Sequence, residues 1–161
     1  MLNYSTKAAE SISSRFVAAF KSDKIFPGPQ SVLDIEITIL RDAGLSGRKV
    51  EYLQSLAKEF ISKELDRNSF DSMDDEQIIE LLCSIKGIGP WTANMFLMFY
   101  LQRADILPVG DFGIRKGLLK FAALKSISKK KLSVVEMEEL CEHWRPYRSV
   151  ASFFMWKLVS E

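Results

Sequence analysis

The chain has 161 residues, of which 47% are hydrophobic, and 22 basic residues nearly balance 21 acidic ones for a net charge of +1. The hydrophobic fraction excludes an intrinsically disordered chain, and the length is typical of one domain, which two helical lobes could make up. The balanced charge excludes a globally basic protein, so a nucleic-acid partner would have to meet a local basic face.

The first half of the chain predicts helices with short breaks between them. Apolar residues recur at helical spacing from about Ser5 to Phe20, and a loop rich in proline and glycine follows at Ile25 to Gln30. A short helix is predicted from about Ser31 to Arg41, with Gly44 at its end. A strongly amphipathic helix is predicted from Lys49 to roughly Leu65.

Helix start signals recur through the second half. Asp74 and Ser133 each begin a capping box, and Pro90 suits the first turn of a helix that is apolar nearly all round to Leu101. Further helices are predicted at about 111–124 and 149–159. No segment alternates with period two, so the fold class predicted is all-α, with about eight or nine helices.

The cysteines and the most apolar segment indicate an intracellular protein that is not in a membrane. Cys83 and Cys141 fit neither a zinc pattern nor a disulfide framework, and we interpret them as small buried thiols. The most apolar run, Met95 to Leu101, is too short to cross a bilayer.

The turn Lys86-Gly87-Ile88-Gly89 joins two predicted helices. Glycines permit positive φ and close approach of another backbone, and the N–H groups at the start of the second helix lack intrahelical partners. This combination suits an anion such as a DNA phosphate, with Gly87, Gly89 and Trp91 as donors and Ile88 packed back between the helices. The alternative is an ordinary helical hairpin with a glycine turn.

Asp111 lies in the segment LPVGDFGIRKG, whose D-F-G triplet is also found in protein kinases. A kinase needs a catalytic H-R-D loop and a glycine-rich loop as well, and the chain has neither. From spacing alone, Asp111 is a helix N-cap.

The segments KGIGPWTANMFLMF, LPVGDFGIRKG and WRPYRSVASFFMW occur in the order typical of one family. Together with the flanking helices they make nearly the whole chain resemble the helix-hairpin-helix DNA glycosylases, most closely the DNA-3-methyladenine glycosylase II group. The resemblance implies a single glycosylase domain over residues 1–161, with the active-site cleft beside the hairpin. It also implies excision of alkylated purines in base excision repair.

The resemblance implies a catalytic role for Asp111, which would stabilise a sugar with oxocarbenium character or activate the attacking water. Members that also cut the strand carry a lysine nucleophile where this chain has Trp91, so a monofunctional hydrolase is expected. Four side chains are expected to line the base pocket: Trp91, Trp156, Phe112 and Met95. Without the resemblance, all four would be assigned to packing.

The resemblance also implies contacts to the DNA backbone and a cation site at the hairpin. The expected contacts are Gly87, Ile88, Gly89, Lys86, Thr92 and Arg115. The hairpin carbonyls of Cys83, Ile85 and Ile88 are expected to hold a monovalent cation, and no cofactor is expected to be required. The expected partner is double-stranded DNA with alkylated bases, bound by a monomer in the nucleus of a eukaryote or the nucleoid or cytoplasm of a bacterium.

The start of the chain departs from the family pattern. Family members have residues ahead of the STKAA helix, and the residue that wedges into the DNA lies there. Here Met1 to Tyr4 take that place, so Asn3 or Tyr4 would be the wedge and the family's N-terminal extension is missing. This departure motivates an alternative, a catalytically weak or inactive homologue that uses the hairpin to grip DNA. A third reading is a structural helical protein without DNA affinity.

One basic connector, KSISKKKLS at Lys125 to Ser133, belongs to none of these motifs. We interpret it as a solvated loop, with DNA contact or nuclear import as the alternative.

Overall fold

The protein is helical throughout the part that the structure describes. The computed structural model describes residues 2–20, 26–66, 68–127 and 129–160, and the side chains of residues 2–6 are outside that description. These residues form nine α-helices and no strand, so the predicted fold class is confirmed. Within the same ranges, no helix combines the length and the apolar character that crossing a membrane requires. The chain divides into two compact units, Met1–Ile88 and Gly89–Glu161.

The first unit contains five α-helices. They are α1 (Leu2–Ala19), α2 (Pro29–Asp34), α3 (Ile37–Asp42), α4 (Gly47–Ser62) and α5 (Asp75–Cys83). Their buried side chains include Phe16, Leu40 and Val50, which belong to one apolar cluster. The start of α5 is the predicted capping box, because Asp74 accepts from the N–H of Gln77 and the Gln77 side chain accepts from the N–H of Asp74.

The predicted helix from Ser31 to Arg41 is wrong, because the chain forms two helices there. Ile35 and Glu36 adopt extended backbone between α2 and α3, with ψ angles of 145° and 136°. Neither residue is a glycine or proline, so the sequence carries no break signal. The break lets Val32 and Leu40, one from each helix, reach the same core cluster, against which Ile35 also packs. Tertiary packing therefore overrides local propensity here.

The second unit contains four α-helices. They are α6 (Pro90–Met95), α7 (Phe112–Leu124), α8 (Val134–Cys141) and α9 (Arg148–Ser160). The helix predicted from Pro90 to Leu101 is present, but it changes to a π-helix at Phe96–Tyr100. Such π segments often lie at functional sites. The core of this unit holds Ile114, Leu118, Met137 and Cys141.

Helices α7 and α9 pack closely at Gly117. A Cβ atom at this position would lie 2.5 Å from the Met155 carbonyl oxygen, so no other residue fits without a shift of the backbone. This close approach places the C-terminal half of α9 against the first turns of α7, where Asp111 is the N-cap.

The start of α9 is fixed by a hydrogen-bonded ion-pair network around Asp105. The Arg148 guanidinium donates to both oxygens of the Asp105 carboxylate, at 2.7 and 3.0 Å, and Arg145 donates to it at 2.7 Å. The buried Ser149 hydroxyl accepts from the N–H of Ile106 and donates to the Arg103 carbonyl. The segment before α7 and the helix α9 are thereby held in register with each other.

Candidate active site and nucleic-acid interface

Asp111 is the N-cap of α7. Its Oδ1 accepts a hydrogen bond from the N–H of Ile114 at 2.8 Å, the geometry that satisfies one orphan donor of a helix start. The interpretation of Asp111 as a cap is therefore confirmed. The cap uses only part of the carboxylate, because two oxygens offer about four acceptor positions.

Two tryptophans hold the same carboxylate. The Trp91 indole N–H donates to Asp111 Oδ2 at 2.7 Å, and the Trp156 indole N–H donates to Oδ1 at 2.8 Å. The three side chains come from the start of α6, the start of α7 and the end of α9. The structure thus brings together three of the residues that the sequence assigns to the site.

These donors stabilise the negative charge on Asp111. Partial burial alone would raise the pKa of the carboxyl group, but hydrogen bonds from Trp156, from the Ile114 N–H and from Trp91 lower it more strongly. The net result is a pKa below the ordinary value of 3.8, so Asp111 is an anion at neutral pH. Because Oδ1 accepts two of these hydrogen bonds and Oδ2 one, Oδ2 is the less committed oxygen.

Gly113 makes room for this arrangement. A Cβ atom there would lie 2.7 Å from Cδ1 of Trp156, 3.0 Å from its Nε1 and 3.1 Å from Asp111 Oδ1. A larger residue would push the indole away from the carboxylate. Gly113 is not among the residues predicted for the site, although its position two residues after the predicted catalytic aspartate is a usable signal.

Trp156 is itself positioned by an aromatic cluster. Its ring stacks on Phe99 with centroids 6.1 Å apart, and Phe153 meets it edge-on at 5.7 Å. Phe99 and Phe153 are each about half exposed, so the cluster reaches the surface. Neither phenylalanine was predicted as a site residue, because both occur in long apolar runs that read as core.

The other two predicted pocket residues are less closely connected to Asp111. Phe112 is 80% exposed and lines a separate basic cavity, while Met95 is half-buried at the last position of α6. Their roles at the base pocket stay predictions.

Within the first unit, the hairpin turn requires a glycine at position 87. Gly87 has a φ of +93°, and a Cβ atom there would lie 2.2 Å from Cγ of Tyr52. The Tyr52 ring therefore packs directly on the turn, a supporting role that the sequence analysis missed. Ile88 lines a groove together with α1 and α4 residues, and its N–H donates to the Ile85 carbonyl at 3.0 Å.

Gly89 is different, because neither backbone strain nor packing explains it. It is the N-cap of α6 with an extended backbone, and a Cβ atom there would meet nothing within 4 Å. Glycine is favoured at an N-cap, and its missing side chain also leaves room here for close approach of a group outside the chain.

The predicted side-chain contacts to DNA have different surroundings. Lys86 forms an exposed ion pair with Glu51 at 2.9 Å, Thr92 is exposed in the first turn of α6, and Arg115 lines the same cavity as Phe112. Asn3 and Tyr4, the predicted wedge, lie in α1, but their side chains are outside the described part of the structure.

The predicted cation ligands lie at the C-terminal end of α5. Cys83 is the last residue of this helix, and carbonyl groups at a helix end carry partial negative charge. The carbonyl of Ile85 accepts one hydrogen bond and keeps a second lone pair. The monovalent-cation site stays a prediction. No group of three or more His, Cys, Asp or Glu side chains suited to a metal occurs among the described residues.

Comparison with known proteins places this geometry in a family. Residues 3–146 match the HhH-GPD superfamily base excision DNA repair proteins. DNA-3-methyladenine glycosylase 1 of Schizosaccharomyces pombe is 35% identical over 153 residues, which cover 94% of this chain and 65% of that protein. The DNA-3-methyladenine glycosylase of Saccharomyces cerevisiae is 37% identical over 189 residues, covering 97% of this chain and 62% of that protein.

A solved structure gives the same result. The 3-methyladenine DNA glycosylase of Schizosaccharomyces pombe in complex with abasic DNA matches with a TM-score of 0.78 at 34% identity, covering 94% of this chain and 71% of that one. This chain spans a little under two thirds of the length of the two curated relatives. The predicted helix-hairpin-helix glycosylase fold is confirmed, and the chain belongs to the HhH-GPD superfamily of base excision DNA repair proteins.

Proposed function

We propose that this protein is a monofunctional DNA glycosylase that flips and hydrolytically excises alkylated purines of the 3-methyladenine type, leaving an abasic site. The observation that carries the proposal is the anionic Asp111 carboxylate held between the indole N–H groups of Trp91 and Trp156. The names of the two yeast relatives, both DNA-3-methyladenine glycosylases, support the substrate class.

Asp111 supplies negative charge to the reacting sugar. When the bond from C1′ to the base nitrogen breaks, its electron pair leaves with the base and the sugar acquires oxocarbenium character. A fixed carboxylate at the sugar stabilises that charge. Water then adds to C1′, and its proton is lost to solvent or to Asp111.

The hydrogen bonds to Asp111 favour the electrostatic role over that of a strong base. Donors from Trp91, Trp156 and Ile114 lower the proton affinity of the carboxylate while leaving its full negative charge in place. The less committed Oδ2 is the oxygen that faces the sugar or the water in this mechanism. An alkylated purine is already cationic and leaves readily, so acid assistance is not needed.

Trp91 determines two features of the reaction. It has no amine, so it cannot form a Schiff base with the sugar, and strand cleavage by that route does not occur at this position. Its ring is 51% exposed with one edge tied to Asp111, which leaves a face for the flipped base. A cationic base over an indole gains about 0.5–2 kcal/mol, and this gain selects alkylated over neutral purines.

The hairpin grips the DNA backbone in this proposal. Gly89 allows close approach of a strand, and N–H groups at the start of α6 bind a phosphate. A monovalent cation at the carbonyls of Cys83, Ile85 and Ile88 would strengthen the turn, and we propose no required cofactor. The protein would act as a monomer on double-stranded DNA carrying alkylated bases, in the compartment that holds the DNA.

The test is release of free base from a duplex that carries an N3- or N7-alkylated purine. Under single-turnover conditions, Asp111→Asn is expected to release base at least about 100-fold more slowly than the parent. Asparagine also caps helices, so the fold is retained. Asp71→Asn, an exposed aspartate in the first unit, is the matched control and should match the parent.

Two outcomes would contradict the proposal. Equal rates for Asp111→Asn and the parent would remove Asp111 from the mechanism. Salt-dependent duplex binding without base release from any lesion would instead support the alternative, a DNA-binding homologue without chemistry.

A further inference from the structure

A basic cavity lies beside Asp111 in the second unit. It has a volume of about 360 Å³, and the two neighbours of Asp111 in the chain, Gly110 and Phe112, both line it. Four cationic side chains surround it: Arg115, Lys116, Lys130 and Lys131. Its apolar lining includes Leu132 and Met137, which are buried in the core of the unit.

None of the four cations of this cavity forms an ion pair within the described part of the chain. No carboxylate is among its lining residues, and no described salt bridge involves its four cations. Lys129, the connector residue before Lys130, does not line the cavity and is paired with Glu136, whose carboxylate also accepts from the N–H and hydroxyl of Ser133. Four like charges around one cavity repel each other, and a bound anion relieves that repulsion.

The position of the cavity identifies the anion. Gly110 and Phe112, the chain neighbours of Asp111, both line it, so the phosphates that flank a sugar at Asp111 would be the DNA anions nearest to the cavity. Arginine and lysine without an acidic partner form the usual protein surface for a phosphodiester. Resting on the proposed function, we infer that the cavity binds a backbone phosphate of the DNA strand that carries the flipped nucleotide.

This inference gives the connector at Lys125 to Ser133 a function. Its sequence predicts a solvated loop, but the connector returns Lys130 and Lys131 to the face of α7 that carries Arg115 and Lys116. A second phosphate site near Asp111 would hold the strand at the reacting nucleotide, in addition to the grip of the hairpin.

The test is the salt dependence of DNA binding by the full chain. Fluorescence anisotropy would follow a labelled duplex with a stable abasic-site analogue at several KCl concentrations. Lys130→Ala/Lys131→Ala is expected to bind about tenfold more weakly near physiological salt, and its slope of log affinity against log salt should be smaller in magnitude by about 1–2. Arg115→Ala should lower the slope by about 1.

The matched control is Lys58→Ala/Lys63→Ala, which removes the same charge from exposed positions outside the cavity and outside the connector. Its slope should equal that of the parent, and thermal unfolding should show that all variants remain folded. The inference would be overturned if a cavity variant kept the parent's slope. It would also be overturned if the slope of the control variant decreased as much as that of the cavity variants.

A second measurement distinguishes DNA from a free anion. The backbone NMR signals of Gly110 and Leu119 should shift on addition of the duplex and should not shift with inorganic phosphate at the same low concentration. Saturation by inorganic phosphate alone, with no shift from the duplex, would make the cavity a free-anion site and overturn the inference.

The failure of the phosphate site and the failure of the proposed function give different results. If the parent releases base and Lys130→Ala/Lys131→Ala keeps the parent's salt slope, only the phosphate-site inference is rejected. If the slope of that variant is reduced and the parent releases no base, only the proposed glycosylase activity is rejected.

Discussion

Trp156 donates its indole N–H to Asp111 across 45 positions of the chain, at 2.8 Å. Asp111 in turn caps α7, whose Gly117 packs against the Met155 carbonyl one residue before Trp156. The contact between Gly117 and Met155, which stabilises the packing of α7 on α9, therefore also sets the position of the Trp156 indole N–H. In this molecule the acid at the site and the core of the second unit are parts of one arrangement, so changes on α9 should be detectable in the chemistry of Asp111.

Trp156→Phe tests that connection through the pH dependence of base release. Phenylalanine keeps much of the ring contact with Phe99 but donates no hydrogen bond, so the pKa of Asp111 should rise from its lowered value. Because the active form is the anion, the acidic limb of the profile of kcat/KM against pH should move to higher pH. At neutral pH the rate should fall about tenfold, the equivalent of a lost hydrogen bond to a charged group.

Trp144→Phe is the matched control for this profile. Trp144 is half-buried against Phe121 in the same unit and makes no described contact with Asp111. Its acidic limb should coincide with that of the parent. An unshifted limb in Trp156→Phe would show that the indole does not tune the carboxylate.

Gly113→Ala should reduce the rate of base release strongly and the stability of the fold only moderately. Its Cβ atom would lie 2.7 Å from Trp156, which must move away from Asp111. We expect a loss of about 1–3 kcal/mol in the free energy of unfolding, measured by denaturant titration, because the substitution overpacks a well-filled contact. Base release should fall by a larger factor than Trp156→Phe produces, since both the donor and the ring are displaced.

Gly28→Ala provides the comparison for this substitution. Like Gly113, Gly28 does not have a positive φ angle, but a Cβ atom at Gly28 would meet nothing within 4 Å. It should leave base release unchanged. If Gly113→Ala also retained the parent's rate, space at position 113 would not matter for the site.

Gly89→Ala separates a glycine kept for folding from one kept for a ligand. The backbone is extended and the space beside it is empty, so the free energy of unfolding should fall by less than about 1 kcal/mol, the effect of alanine at an N-cap. Affinity for duplex DNA, measured by anisotropy, should nevertheless fall about tenfold, because the new methyl group occupies the place where the strand approaches.

Gly87→Ala should show the opposite pattern, with a large loss of stability from its positive φ and from the Tyr52 ring. If Gly89→Ala bound DNA as tightly as the parent, the N-terminus of α6 would not be the phosphate site.

The sequence identified the parts of the site that depend on residue type and local spacing. Asp111 as a cap, Gly87 at positive φ and the capping boxes at Asp74 and Ser133 follow from rules that act within a few residues. The choice of Trp91 and Trp156 came from the family resemblance, because an aromatic on a helix otherwise reads as core.

What the sequence did not reveal depends on contacts between distant segments. The break at Ile35, the ring of Tyr52 on Gly87 and the space at Gly113 all result from tertiary packing. The cavity formed by Arg115 and Lys131 is of the same kind, because the two residues are far enough apart in the chain that no local pattern joins them. Local propensity rules contain no term for such pairs.

Asp105→Asn should make the stability of the protein less dependent on pH. Burial alone would raise the pKa of Asp105, but hydrogen bonds and charge from Arg148, together with the charge of Arg145, lower it below 3.8. A depressed folded-state pKa means that the anion stabilises the fold above the unfolded-state pKa, and that this stabilisation disappears as pH falls through the folded-state value. The parent should therefore exceed the variant by about 2 kcal/mol in free energy of unfolding at neutral pH, the typical effect of a hydrogen-bonded charge.

The difference between parent and Asp105→Asn should shrink as the pH falls below about 4, near the ordinary aspartate pKa. Urea titrations at a series of pH values measure it, and Asp71→Asn, which alters an exposed aspartate, should follow the parent throughout. Because Arg148 begins α9 and Trp156 lies two turns later, Asp105→Asn should also slow base release. A difference in stability that stayed constant down to strongly acidic pH would show that the Asp105 anion does not hold α9 in place.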